Sequence, residues 1–142
     1  MGSTSKVRNL ILGAGLGNQY YYRLTKRPFT KLQILLPGET AAPDTATGKT
    51  GTPTPQQATV PFNIVVNAVD ETWHVITDVS DTVKITSTDA FAFLPADAAL
   101  SSGTATFSLT LGDAGNSHTI TATDVTDATK AAATSAPVQV NF

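Results

Sequence analysis

Two histidines, one tryptophan, eleven acidic side chains and no cysteine set the chemistry open to this 142-residue chain. Without cysteine there is no disulfide, thiolate metal site or cysteine nucleophile, so cohesion must come from packing. Hydroxyl catalysis would need His74 or His118 held between a nucleophile and an orienting acid. Ser117 beside His118 in a turn, and Asp78 facing out of an ordinary strand, do not make that triad, and no enzyme is expected. Hard cations want several carboxylate and carbonyl oxygens. Asp70, Glu71, Asp124 and Asp127 fall in expected loops that could share one end of the domain and are the calcium candidates, but their spacing matches no calcium-loop motif, and solvated turn acids are the simpler reading. Lys31, Lys49 and Lys84 raise an intramolecular isopeptide bond, which needs a buried lysine beside an Asn or Asp and an acid. Lys84 alternates outward and Lys49 lies in a Thr/Gly loop, so none is expected. Trp73 reads as a rim or core residue rather than a sugar platform.

The run Val7-Arg-Asn-Leu-Ile-Leu-Gly-Ala-Gly-Leu-Gly-Asn18 imitates the opening of a dinucleotide-binding fingerprint, with Gly13-x-Gly15 after an apolar stretch and Glu39 near the distance of a ribose-binding acid. Asn18 takes the third glycine position and Pro28 interrupts the helix that should follow, so no cofactor is expected. Charge divides the chain instead. Lys6, Arg8, Arg23, Lys26, Arg27 and Lys31 are six of its nine basic residues, and all eleven acidic residues lie from Glu39 onward. Met1–Ser5 reads as an added leader. Basic residues interleaved with tyrosines can bind nucleic acid through phosphates and stacking, but an acidic domain would repel the same ligand, so no nucleic-acid partner is expected. The opposite polarity suits contact between the arm of one copy and the acidic domain of another, through Arg8, Tyr20, Tyr21, Tyr22, Arg23, Lys26 and Arg27. No apolar run approaches the ~20 residues that span a bilayer, and no good cleavage site follows Lys6 and Arg8. Neither membrane insertion nor an export signal is expected.

The elements that must carry these residues are strands. Only 14% of the chain is charged, and its Thr, Ala and Val suit a pleated, half-buried surface. Pro28 pushes the preceding residue toward extended conformations, dividing an arm, 1–28, from a domain, 29–142. In the domain 31–36 opens as a strand and Pro37-Gly38 ends it. The stretch to Gln57 is a long surface-hugging excursion or a switch between sheets rather than a regular element. Phe62, Ile64, Val66 and Ala68 alternate with Asn63, Val65, Asn67 and Val69, a period of two that puts the first set on one face. Asp70-Glu71 is read as a turn and Trp73–Val79 as the returning strand. Val83 and Ile85 point inward around Lys84; Phe91, Phe93 and Leu94 add bulk. Ala105, Phe107, Leu109 and Leu111 face a core, 112–116 is read as a hairpin turn, Ile120 and Ala122 pair back, and Val138, Val140 and Phe142 close the domain. About seven short strands of this kind fit an all-β, antiparallel sandwich.

Phe62-Asn-Ile-Val-Val-Asn-Ala-Val-Asp70, Gly103-Thr-Ala-Thr-Phe-Ser-Leu-Thr110 and Ala114-Gly-Asn-Ser-His-Thr-Ile-Thr-Ala-Thr-Asp124 occur in that order at sandwich spacing. Together they resemble the bacterial Ig-like domains of invasin/intimin-type surface proteins and related tandem repeats of large secreted proteins. The resemblance covers residues 29–142, with Phe29–Gly38 and Pro137–Phe142 similar to the joining ends of such repeats. It implies an Ig-like sandwich serving as a spacer or adhesive module on or outside a bacterial cell. Neighbouring repeats or an unidentified surface ligand would be its partners, and it brings no catalytic residues.

Overall fold

The computed structural model describes residues 27–142, and every regular element in them is a β-strand. Twelve strands run β1 (Lys31–Leu35), β2 (Glu39–Ala41), β3 (Lys49–Gly51), β4 (Gln56–Gln57), β5 (Phe62–Val69), β6 (Thr82–Ser87), β7 (Ala98–Ala99), β8 (Thr104–Leu109), β9 (Ser117–His118), β10 (Ile120–Asp124), β11 (Ala133–Thr134) and β12 (Val138–Asn141). They form sheets of order β1-β5-β8, β11-β10-β6-β7, β4-β12-β9 and β2-β3. All pairings are antiparallel except β4 with β12, where Val140 faces Gln56, and an isolated parallel bridge from Lys31 to Ala131.

Alternation sets which side chains go inside. Phe62, Ile64, Val66 and Ala68 of β5, Phe107 and Leu109 of β8, Val83 and Ile85 of β6, Ile120 and Ala122 of β10, and Val138 and Val140 of β12 join Leu32 and Ile34 of β1 in one buried cluster. The two larger sheets therefore share a single core, and Lys84 points outward as expected. At ~25 cal/mol per Å² of apolar surface, each fully buried Leu, Ile or Val contributes roughly 1.5–3 kcal/mol.

The final strand is broken where proline cannot donate. Pro137 separates β11 from β12, and Ser135 bridges the interruption: its amide donates to the Ile120 carbonyl at 2.8 Å, while its hydroxyl accepts from the Ile120 amide at 2.9 Å.

Four expectations need correction. Residues 73–79 form no strand. Asp70 captures the Thr72 and His74 amides, and Trp73 turns to φ +73°, so the segment closes on itself apart from the Val69–Val75 bridge. Residues 112–116 are not a hairpin turn, because β8 pairs with β5 whereas β10 pairs with β6 and β11; the segment crosses between sheets. Phe91, Phe93, Leu94 and Phe142 are exposed rather than core residues. The stretch after Pro37, expected to hold no regular element, makes the β2-β3 hairpin, because Glu39–Ala41 and Lys49–Gly51 pair in register, before it joins another sheet as β4.

Candidate functional sites at the two ends

The strands give the molecule two unlike ends. Lys31 faces Val69 across β1 and β5, and Lys31 bridges Ala131, so Arg27, Asp70, Asp124 and Lys130 gather at the end where the described chain begins. Phe62 faces Leu109, Thr59 donates to Leu111 and Gly115 donates to Val140. Phe91, Phe93 and Phe142 therefore lie at the other end.

The first end is built on Asp70, 4% exposed. Its Oδ1 accepts from the Thr72 amide at 2.9 Å, the Thr72 hydroxyl at 3.0 Å and the His74 amide at 3.0 Å. Arg27 approaches Oδ2 at 3.2 Å and also contacts His74 Nδ1. Burial works against ionisation, but these donors outweigh it and hold the carboxyl at about 2, below the ordinary 3.8. His74 Nε2 meets Asp44 at 3.1 Å. Lys31 lies over the Trp73 ring, 3.5 Å from its centroid, and Gly48 packs against the same indole. Trp73 is therefore a covered rim residue, not a platform open on both faces.

A second polar set lies under the β2-β3 hairpin. Gln33 donates to the Gly48 carbonyl at 2.8 Å, Asn67 to Gln33 at 3.2 Å, and Thr104 to Asn67 at 2.7 Å. Glu39 carries a buried side chain that accepts from Lys49 at 3.0 Å and the Leu36 amide at 2.9 Å. The acid proposed for a ribose is thus committed to Lys49, which lies in β3 rather than in a loop. Lys49 also donates to the Ile34 carbonyl at 3.1 Å, so its partners are a glutamate and a carbonyl rather than the Asn or Asp of an isopeptide.

At the opposite end Asp113 Oδ2 meets His118 Nε2 at 2.8 Å, and His118 Nδ1 meets Thr88 Oγ1 at 3.0 Å. Ser117, the sequence neighbour, donates instead to Gln139 at 3.0 Å. The line Asp113-His118-Thr88 has the order of a triad, but the Phe91, Gly112 and Asp113 amides donate to Asp89 at 2.7, 2.7 and 3.1 Å and are not aimed at a reacting carbonyl. Burial opposes ionisation of Asp89, and those three bonds pull its pKa below the usual carboxylate range. Beside it Phe91, Phe93 and Thr59 line a shallow apolar groove of about 410 Å³.

The calcium candidates do not converge as a foursome. Asp70 is saturated by its own turn, Glu71 is exposed and offers its carbonyl to Lys31, and Asp127 is held by Thr129. Among the described residues no group of three or more His, Cys, Asp or Glu side chains is arranged to hold a metal ion, and no helix is long and apolar enough to cross a membrane. Of the self-association candidates, Arg8, Tyr20, Tyr21, Tyr22, Arg23 and Lys26 lie outside the described residues, as does the Gly13-x-Gly15 run; Arg27 is turned back onto Asp70. Sequence reasoning missed Asp81, Asp89 and Asp113, for which nothing but an acid near a turn was visible. No protein-family model matches the chain, and no curated protein or solved structure matches it.

Proposed function

We propose that residues 29–142 are an Ig-like β-sandwich module of a bacterial surface or secreted protein, acting outside the cell as a non-catalytic spacer or adhesive unit. The observation that carries this reading is the path of the chain, in at the Asp70 end and out at the Gly115 end. Copies joined in series would stack along their strands. Strand order adds support: β1, β5 and β8 on one side, β6 and β10 on the other, a crossing after β8, and β4 beside β12. Counting β9 with β10 and β11 with β12 as bent strands, and setting aside the β2-β3 hairpin and the two-residue β7, leaves seven strands, the number such a sandwich uses. Two copies of 29–142 in series behind one arm should scatter X-rays as a rod about twice as long as one copy; a compact side-by-side pair overturns the reading.

A second reading, a self-assembling filament or shell subunit whose arm docks on a neighbour, is favoured by the apolar end, where Phe91, Phe93 and Phe142 are 67%, 73% and 88% exposed. Deleting residues 1–28 separates the two by size-exclusion chromatography and electron microscopy. Assemblies that vanish while the β-structure persists support this reading; a monomer before and after leaves the spacer.

A further inference from the structure

The last residue of β10 holds a buried acceptor without a donor. Asp124 is 3% exposed, and its Oδ1 accepts from the Thr126 and Asp127 amides, each at 2.9 Å. Its Oδ2 is buried and receives no hydrogen bond. What faces it is another acid. Asp124 pairs with Val83 in the β6-β10 ladder, Val125 donates to the Thr82 carbonyl at 2.9 Å, and Thr82 donates to Thr126 Oγ1 at 2.9 Å. This register brings the Asp81 carboxyl within hydrogen-bonding reach of Asp124, and Asp127 adds negative charge nearby. Lys130 does not fill the gap: its Nζ bonds the Phe29 carbonyl at 3.0 Å and lies 3.7 Å from Asp127.

Two facing carboxylates, one of them buried, repel unless positive charge stands between them, either a proton or a metal ion. We propose that Asp81 and Asp124 form a binding site for a calcium ion, with Asp124 Oδ2 and the Asp81 carboxylate as ligands and Asp127 adding attraction. Backbone oxygens and water would complete the shell, which calcium tolerates in an irregular loop and magnesium, bound to near-ideal octahedral geometry, does not. With so few carboxylates the dissociation constant should fall at roughly 10⁻⁴–10⁻³ M, the range of extracellular modules.

The test is calorimetric titration of the full chain, stripped with chelator, with calcium chloride at neutral pH, paired with thermal unfolding. One ion per chain and a midpoint that rises with calcium are expected. Asp124→Asn risks the loop itself, so Asp81→Asn carries the test: it should fold and bind calcium at least tenfold more weakly. Either of two results overturns the site. One is Asp81→Asn binding as well as the parent. The other is a parent that gives neither heat nor a midpoint shift at about 10 mM calcium, well above the expected constant.

Discussion

Asp70 accepts three hydrogen bonds on one oxygen and faces Arg27 with the other, so its ionised form belongs to the folded state. A carboxyl held at about 2 against an ordinary 3.8 contributes about 2 kcal/mol that is present above the unfolded value and lost as pH falls through the folded one. Urea unfolding of the parent between pH 4 and 2 should show that decline, and Asp70→Asn should remove most of this pH dependence along with some stability at neutral pH. Gly48 is fixed by its neighbour as well as its backbone. It sits at φ +75°, and a Cβ there would lie 2.2 Å from the Trp73 ring. Gly48→Ala should cost at least about 2 kcal/mol and shift the fluorescence of the chain's single tryptophan as the indole is displaced. Neither role was legible beforehand. Asp70 reads as a solvated turn acid and Gly48 belongs to the Thr/Gly loop around Lys49, because the burial of the one and the Trp73 contact and positive φ of the other are not revealed by composition.

Among the elements, the β2-β3 hairpin depends on the Glu39–Lys49 pair, whose glutamate side chain is 3% exposed while the lysine keeps 23%. Lys49→Met should leave a buried carboxylate unpaired, cost about 2–3 kcal/mol, and speed hydrogen exchange at Ala42, whose amide donates to the Gly48 carbonyl, before it reaches β5. The strands that were readable are those with an unbroken period of two in their inward residues, β5, β6, β8 and β10, whose inward residues all reach the core. Trp73–Val79 was misread for a physical reason. Its β-branched residues favour a strand, but Asp70 satisfies the amides of Thr72 and His74 locally and the Ile76 amide returns to Ala68, leaving no ladder to extend. The 112–116 crossing has the same Gly, Asp and Asn residues that a hairpin would use, so composition could not say which sheet the chain would enter next. Phe91 and Phe93 show the one-way character of the rule that apolar residues are buried, since both stand in solvent.

At the scale of the whole molecule the polar and apolar ends make separable contributions. Phe93 is 73% exposed, so Phe93→Asp should leave the unfolding free energy within about 0.5 kcal/mol. If the apolar end mediates association, the same change should abolish concentration-dependent elution in size-exclusion chromatography. Early and late segments of the chain run side by side in the same direction. β4 runs parallel to β12, the Ala58 amide holds the Asn141 carbonyl at 2.8 Å, and β1 meets Ala131 in the same sense. A pulling force applied between residues 27 and 142 would run along these strands, so the bonds that cross between them would bear the load together in shear instead of peeling open one at a time. The body should act as a mechanical fuse with a high rupture threshold. Ala58→Pro, which deletes one of the loaded donors, should lower the force at which a single molecule yields, as read by optical tweezers or atomic force spectroscopy.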